Sequence, residues 1–357
     1  MSEHRGAFRR CDVSVSRHQH APDRMPRMTA TTDAAHPFSR LDPDAILDAV
    51  ESTGLRCDGR LSALNSYENR VWQVGIEDAP PVIAKFYRPA RWSDAQILEE
   101  HGFARELIDA EVPVVAPIET AGRTLHVANG FRFSLWPRMG GRAPEFDREN
   151  VLAWMGRFIA RIHVVGARGR FAHREKLSVA RLGRESRDFL LGAGFVPKEL
   201  EPAYRSVADQ ALDAVEACFE RAGPVRGLRL HGDCHAGNVL WTEAGPHFVD
   251  LDDAVTGPAI QDLWMLLSGD RVQREAQLAA VLEGYETFRE FDRTELLLVE
   301  ALRTLRLMHY AAWLARRWDD PAFPASFPWF HTQRYWQDHI LELREQLGAM
   351  DDFPLSG

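Results

Sequence analysis

The sequence has no long apolar run: no stretch of about 18 uninterrupted apolar residues occurs among its 357 residues. A membrane-spanning helix needs roughly 20 such residues, so we predict no span and no membrane partner. Cysteines are also few: there are 4, and none form a C-x-x-C pair. This sparse usage argues against a disulfide-stabilised secreted domain. The arginines near the N-terminus are not followed by the apolar segment of a signal peptide, and we expect a cytoplasmic protein.

Positive charge is in short supply as well. Lys and Arg number 43 against 52 Asp and Glu, which gives a formal net charge of −9. A protein that mainly coats nucleic acid or anionic lipid carries a basic excess, so we exclude a nucleic-acid partner but not a local anion site. With 45% hydrophobic and 27% charged residues, the chain is typical of globular proteins with one large or two medium domains. We expect it to act as a monomer.

Residues 1–35 differ from the rest of the chain. They are polar, rich in Arg, His, Ser, Thr and Pro, and show neither helical nor strand periodicity. Such a segment buries too little apolar area to offset its ordering entropy, so we predict a disordered tail. Met28 directly precedes the first patterned segment, and we expect natural translation to start there, with residues 1–27 outside the native protein.

Residues 36–135 carry mainly strand patterns. Asp42-Pro43 predicts a helix start, and Gly54 its end. A second helix is predicted after Ser93-Asp94. The predicted strands are 61–64, 70–76, 81–87, 112–118 and 124–135, the last broken by a turn at Asn129-Gly130. We predict a small antiparallel sheet.

After residues 136–141 the pattern becomes helical. Val151, Met155, Phe158, Ile162 and Val165 form one long apolar stripe at helical spacing. Short strand-like pieces at 228–230, 239–241 and 247–251 interrupt the later helices. We therefore predict a two-lobed α+β fold: a small antiparallel-sheet lobe over 36–135, a hinge near 136–141, and a larger helical lobe over 136–357.

The densest polar cluster of the sequence lies in the second lobe. It runs from residue 231 to 238 as His-Gly-Asp-Cys-His-Ala-Gly-Asn, and Asp250-Leu251-Asp252-Asp253 follows after an apolar strand. Flanking strands would bring Asp233, Asn238 and Asp250 to one end of a hairpin. Amide and carboxylate oxygens suit Mg²⁺, which takes its remaining ligands from phosphate and water. Asp233 then stays available to accept a proton from an attacking hydroxyl, the arrangement that phosphoryl transfer needs.

This cluster resembles the H-x-D-x-x-x-x-N catalytic loop and later metal-binding Asp of the protein-kinase-like superfamily. The His-Gly-Asp form resembles its aminoglycoside phosphotransferase and choline kinase branch. Residues 64–71, 85–89, 229–241 and 248–253 are similar to a family of bacterial stress-response Ser/Thr protein kinases within that branch. The likeness covers residue 37 to at least 340. It implies an ATP- and Mg²⁺-dependent kinase that phosphorylates a Ser or Thr hydroxyl.

The resemblance also implies roles for single residues. Asp233 corresponds to the catalytic base, and Asn238 with Asp250 to the Mg²⁺ ligands. Asp252 would assist a second ion. Asp262 matches an aspartate that braces the catalytic loop from beneath.

Nucleotide binding falls to the first lobe in this comparison. Lys85 corresponds to the lysine that contacts the α and β phosphates, held by a helix glutamate for which Glu100 fits better than Glu99. Ser66 lies at the nucleotide-loop position, although the G-x-G-x-x-G of protein kinases is absent. Residues 135–139 match the segment that meets adenine.

Three alternatives remain. A small-molecule hydroxyl kinase, acting for example on an aminoglycoside, choline or homoserine, would share the whole site. A zinc hydrolase could use His231, Cys234 and His235, but two histidines at i and i+4 need a helix, which Gly232 and Gly237 disfavour. A pseudokinase that only binds nucleotide would be expected to lack some of the key residues, all of which are present.

Overall fold

A computed structural model of the chain describes residues 36–148, 150–352 and 354–356. The predicted disordered tail over residues 1–35, and with it the predicted start at Met28, lies outside the described residues. Within these ranges, no helix combines the length and the apolar character needed to cross a membrane.

The first lobe is built on one antiparallel sheet of five strands in the order β1-β2-β3-β5-β4. Two helices, α1 (Pro43–Glu51) and α2 (Asp94–Asp109), accompany the sheet. Its strands are β1 (Cys57–Ala63), β2 (Arg70–Ile76), β3 (Ala79–Phe86), β4 (His126–Ala128) and β5 (Phe131–Pro137). Helix α1 begins as predicted, because the Asp42 side chain accepts the Ala45 N–H at 2.8 Å and proline occupies the first turn.

The register of the sheet explains why Lys85 faces the cleft between the lobes. Lys85 on β3 pairs with Ser134 on β5 and with Val71 on β2. Its neighbours Ala84 and Phe86 point to the opposite face, where they are fully buried against α1. Since side chains alternate along a strand, burying these two apolar residues places Lys85 on the other face.

The predicted strand over 112–118 is wrong. This segment forms no ladder and makes a single parallel bridge, from Val114 to Phe248. Its residues Pro113 and Pro117 lack the N–H groups that a ladder requires. The segment instead crosses between the lobes: the Val115 N–H reaches the carbonyl of Phe248 at 2.9 Å, and the Ile118 N–H that of Leu135 at 2.7 Å.

The second lobe is helical, with short strands that carry polar loops. The helices are α3 (Val151–Gly166), α4 (Glu185–Gly192), α5 (Glu201–Ala222), α6 (Arg271–Tyr285), α7 (Val299–Arg316), α8 (Ala322–Ser326) and α9 (Gln333–Asp351). The strands are β6 (Leu228–Leu230), β7 (Val239–Thr242), β8 (Gly245–Phe248) and β9 (Val255–Gly257). β6 pairs with β9, and β7 forms a hairpin with β8. The predicted α+β class is confirmed.

The linker after β5 is tied to the β7–β8 hairpin. Arg142 and Trp241 exchange backbone hydrogen bonds of 3.1 and 2.6 Å. Gly141 precedes this bridge, and a Cβ there would lie 2.9 Å from the Leu240 Cβ. Glycine is required because the linker approaches the hairpin so closely.

Candidate active site

The loop between β6 and β7 is held from beneath by a buried aspartate. Both carboxylate oxygens of Asp262 accept backbone N–H groups of the loop, from His231 and from Gly232, each at 2.8 Å. The His163 ring contacts the same carboxylate at 3.1 Å and the Tyr285 hydroxyl at 2.9 Å. The bracing contact predicted for Asp262 is therefore confirmed, and it fixes the backbone directly before Asp233.

Gly232 lets this loop pack against the segment that follows β8. Its φ is +87°, and a Cβ at this position would overlap the carbonyl oxygen of Asp253. Any other residue would thus be both strained and in collision with backbone. The approach brings the loop with Asp233 beside the segment that carries the later aspartates.

Asp233 forms an ion pair with an arginine of helix α7. Its Oδ1 accepts from Arg306 at 2.6 Å, while Oδ2 lies 3.3 Å from His235 and 3.3 Å from the Asn238 amide. Burial opposes the ionised form, but Arg306 and His235 outweigh it and hold the pKa of Asp233 well below its ordinary value. The carboxylate is therefore ionised at any physiological pH.

Asn238 and Asp250 lie together at the base of the β7–β8 hairpin, as predicted. Val239 pairs with Phe248, and the next residue, Val249, donates to the Asn238 carbonyl at 3.0 Å. The Asn238 amide nitrogen donates to the Asp233 carbonyl at 2.9 Å, which turns its side-chain oxygen away from the loop. Asp250 adopts a left-handed backbone (φ +61°), and its side chain is 54% exposed. Non-glycine residues in this conformation are often found at functional sites.

Lys85 reaches across the cleft to two of the aspartates. Its Nζ lies 2.9 Å from Asp250 Oδ1 and 3.1 Å from Asp252 Oδ1. Burial disfavours the charged ammonium, but these carboxylates outweigh it, and the pKa of Lys85 lies well above its ordinary value. The structure thus unites Lys85, Asp250 and Asp252.

The predicted ion pair between Lys85 and Glu100 is wrong. Glu100 is fully buried and binds Arg174 at 2.8 Å, while Asp250 and Asp252 take the ammonium. Glu99 points elsewhere and accepts the backbone N–H groups of residues 172–174. Of the two, Glu100 does face the side of Lys85: burial raises its pKa to about 7, opposed by the charges of Lys85 and Arg174.

Asp252 lies in a closed network of cations and amides. Its Oδ1 faces Lys85, and its Oδ2 binds the Arg91 guanidinium and, at 3.2 Å, the Asn69 amide. The side chain is only 4% exposed. Arg91 continues to Asp253 at 2.6 Å. Oδ2 accepts hydrogen bonds, whereas the buried Oδ1 has Lys85 at 3.1 Å but accepts no hydrogen bond within the described residues, and the role of Asp252 toward a second ion stays a prediction.

Ser66 shapes the loop over residues 64–69, which we call the β1–β2 loop. Its hydroxyl accepts the Val71 N–H at 3.1 Å and lies 3.2 Å from the Asn69 carbonyl. This contact holds a loop that lacks a glycine-rich motif. Whether the hydroxyl also meets phosphate stays a prediction.

The β1–β2 loop is anchored on the second lobe. Glu68 accepts from the Trp313 indole and from Arg317, both at 2.5 Å. Beside the loop, Asp320 binds Arg70 at 2.9 Å and Arg88 at 2.6 Å. The loop that should cover the nucleotide is thereby fixed to α7 and the segment that follows it.

Arg91, Arg306 and Asp320 were missed by the sequence reasoning. Arg91 belongs to the same conspicuous segment as Lys85, six residues later, which was a usable signal. Arg306 and Asp320 have no such signal, since each meets its partner only through contacts more than 70 residues apart along the chain.

The alternative zinc site is not formed. The His231 ring donates to the Val249 carbonyl at 3.0 Å, whereas His235 accepts the Gly237 N–H at 3.0 Å. Cys234 is fully buried, and burial raises its pKa well above the ordinary value, which disfavours a thiolate. Nowhere in the described ranges do three His, Cys, Asp or Glu side chains group as a metal site would need.

Comparison with known proteins agrees with this geometry. The sequence model of a phosphotransferase enzyme family matches residues 60–299. Stress response kinase A of Escherichia coli K12 is 46% identical over 323 residues, which cover 90% of this chain and 98% of that protein. The Serine/threonine protein kinase RdoA of Salmonella typhimurium LT2 is 45% identical with the same coverage.

Solved structures share the fold at low sequence identity. An amicoumacin kinase in complex with AMP-PNP, Ca²⁺ and Ami superposes with a TM-score of 0.67 at 18% identity, over 86% of this chain and 93% of that one. A spectinomycin phosphotransferase gives 0.60 at 16% identity, over 86% and 98%. These likenesses confirm the predicted kinase-like fold. With the family match over residues 60–299 and the close bacterial relatives, they show that this chain belongs to the phosphotransferase enzyme family.

Proposed function

We propose that this protein is a stress-response kinase that transfers the γ-phosphoryl group of ATP, with Mg²⁺, to a Ser or Thr hydroxyl of a protein. The observation that carries the proposal is the convergence of Asp233, Asn238 and Asp250 opposite Lys85 at one cleft. The names of the close relatives support Ser/Thr as the acceptor and stress as the context.

The donor set fits Mg²⁺. In the described part of the chain, neither the Asn238 side-chain oxygen nor Asp250 Oδ2 has a hydrogen-bond partner, and both belong to the base of one hairpin. Two hard oxygens with solvent access are what Mg²⁺ needs when phosphates and water complete its shell. The ion would neutralise charge on the phosphates.

Lys85 would bind the nucleotide from the opposite side. Its ammonium is desolvated and held by Asp250 and Asp252, so its position is fixed before any phosphate arrives. A preorganised cation in a cleft costs little reorganisation when it meets the developing charge of the transition state. The anchored β1–β2 loop closes the same cleft from above.

Asp233 would orient the acceptor hydroxyl and then receive its proton. Arg306 and His235 keep it ionised, which makes it a weak base. Phosphoryl transfer through a loose transition state needs little proton abstraction early on, so positioning matters more than basicity. The proton would move to Asp233 Oδ2, because Oδ1 is covered by Arg306.

A small-molecule hydroxyl acceptor is the second candidate, because proteins of the same fold include an amicoumacin kinase, an aminopropanol kinase and a spectinomycin phosphotransferase. We would incubate the protein with γ-labelled ATP and Mg²⁺ against dephosphorylated casein, choline, homoserine and an aminoglycoside. We expect label on phosphoserine or phosphothreonine of casein, and none with Asp233→Asn. Transfer to a small molecule alone would contradict the proposed acceptor. Cell fractionation and sedimentation would test the predicted cytoplasmic location and monomeric state.

A further inference from the structure

One face of α7 runs from the proposed base to the β1–β2 loop. Arg306, Tyr310 and Trp313 follow one another at i, i+4 and i+7, and Arg317 continues the same row. Arg306 binds Asp233 at 2.6 Å, while Trp313 and Arg317 both bind Glu68 at 2.5 Å. An acceptor whose hydroxyl meets Asp233 would therefore lie beside the Arg306 end of this face.

The middle of this face is aromatic. The rings of Tyr310 and Trp313 stack with centroids 5.7 Å apart and 18° between their planes. Burial raises the pKa of Tyr310 to about 12, although the charge of Arg306 opposes the shift. Tyr67 of the β1–β2 loop is close enough to add to the rise. A flat, rigid and partly buried surface of this kind suits an extended peptide backbone with its side chains.

Arg306 has hydrogen-bond donors that Asp233 does not use. A guanidinium carries five N–H groups, and within the described ranges Arg306 uses only Nη1, toward Asp233. Its side chain is 36% exposed, so it is accessible from solvent beside Asp233. Such a fork matches the two oxygens of a carboxylate or a phosphate.

The surroundings of this face carry both signs of charge. Burial opposes the charged form of Arg306, but the nearby carboxylates of Asp233 and Asp253 outweigh it and raise its pKa, whereas arginines dominate toward the other end of the face. Glu68, a carboxylate at the upper end of the face, is already paired with Arg317 and Arg88. His309, one residue from Tyr310, has its pKa lowered to about 3 by burial and then by Arg181, Arg316, Arg317 and Arg306. An acidic side chain of an acceptor would therefore be attracted by the N–H groups of Arg306 that Asp233 does not use, and not by a broad basic patch.

We propose that Arg306 is the acceptor-specificity residue and that the acceptor is a peptide segment with a carboxylate within about two residues of the phosphorylated hydroxyl. The inference rests on the proposed function and names its substrate class. Arg306 holds Asp233 with one N–H group and binds the acidic side chain of the acceptor with the others.

Two peptides that differ only in Glu or Lys residues on both sides of a single Ser provide the test. For the wild type, kcat/KM with γ-labelled ATP should favour the Glu peptide at least tenfold. Arg306→Gln should reduce this preference to less than about threefold, and Arg306→Lys should retain part of it. Arg205→Gln is the matched control, since Arg205 is an exposed, ion-paired arginine of the same lobe. It should keep the full preference.

A second readout separates specificity from general damage. Because Arg306 would touch the acceptor and not the nucleotide, Arg306→Gln should raise KM for the Glu peptide at least about fivefold and change KM for ATP by less than about twofold. Equal use of both peptides by the wild type, a preference for Lys, or an unchanged preference in Arg306→Gln overturns the acceptor assignment while phosphoryl transfer to protein stands. No transfer to either peptide overturns both proposals.

Discussion

Asp233 and Asp252 are both aspartates held by an arginine, yet they differ in what surrounds them. Asp233 has one arginine, on one oxygen, and its side chain is 22% exposed. Asp252 faces Lys85, Arg91 and Asn69 with both oxygens and is 4% exposed. An open carboxylate can exchange partners with a substrate, whereas a closed one serves as a counter-ion. The partners of an acid, more than its place in a motif, indicate which of these it is.

The largest expected effect is on kcat, and it distinguishes Asp233 from Asp252. Asp233→Asn should lower kcat at least about 10³-fold, roughly 4 kcal/mol of barrier, because the hydroxyl loses its proton acceptor. The amide keeps the shape and can still accept from Arg306, so the free energy of unfolding should change by less than about 2 kcal/mol. A phosphoryl-transfer assay measures kcat, and urea unfolding measures the free energy of unfolding. Asp338→Asn, at an exposed site on α9, is the control. Near-normal transfer by Asp233→Asn would refute the assignment.

Asp252→Asn should instead act mainly on stability. It removes the counter-ion that Lys85 and Arg91 share, but Lys85 keeps Asp250 and Arg91 keeps Asp253. We therefore expect a loss of about 2 kcal/mol, less than the roughly 3–5 kcal/mol for a buried charge left without any partner. Urea unfolding would measure the loss. If Asp252→Asn unfolds like the wild type but needs far more Mg²⁺, Asp252 is a metal ligand after all and the comparison fails.

Asp250→Asn is the counterpart on the same segment. Its side chain is 54% exposed, and Lys85 keeps Asp252 at 3.1 Å, so the stability cost should stay below about 1 kcal/mol. The Mg²⁺ concentration for half-maximal activity should rise at least tenfold, because a carboxylate ligand is lost. Binding of Mn²⁺ in the presence of a non-hydrolysable ATP analogue would report the same loss without catalysis. Unaltered metal binding would contradict the predicted role.

Glu68→Gln tests a carboxylate that holds a loop. The change weakens the contacts to Arg317 and Arg88, and we expect KM for ATP to rise about threefold to tenfold, roughly 1 kcal/mol, with kcat less affected. Glu77→Gln, on an exposed turn of the same sheet, should change neither constant. A fall in kcat alone would show that the loop acts on chemistry and not on nucleotide binding.

Glu295 is a buried acid with no ion-pair partner in the described ranges. Its pKa is raised, whereas the pKa values of Asp233 and Asp252 are lowered. Burial raises the pKa to about 7, although the Ile260 N–H donates to the carboxylate at 2.8 Å. A raised pKa means that folding favours the protonated form, so this contribution to stability is complete below pH 4.5 and is lost as pH rises toward 7. Glu295→Gln should therefore gain stability relative to the wild type across that window, by about 1.4 kcal/mol per unit of pKa difference. The free energy of unfolding of both proteins would be measured at pH 4.5 and at pH 7. The same difference between Glu295→Gln and the wild type at the two pH values would contradict this.

The parts that sequence predicted well are local. Asp42 and Pro43 start α1, and the hairpin that unites Asn238 with Asp250 follows from two short apolar runs and the loop between them. The strand predicted over 112–118 is wrong because Pro113 and Pro117 remove two N–H groups that a ladder needs, although the segment is apolar.

The partners of charged residues were not predictable. Lys85 was expected at Glu100, but it meets Asp250, which is 165 residues away along the chain. Arg306 meets Asp233 across 73 residues. Spacing rules describe neighbours on one helix or strand, whereas these pairs depend on how the lobes meet.

The bridge between Arg142 and Trp241 couples two events. The linker is the expected pivot between the lobes, and it is hydrogen-bonded to the same hairpin whose base holds Asn238 and Asp250. The bridge joins the hairpin on its turn side, where Trp241 pairs with Pro246, and the hairpin is a two-stranded unit whose other end carries Asn238 and Asp250. A rotation at residues 138–141 would therefore displace the hairpin as one body, and the two predicted metal ligands would move together with the linker.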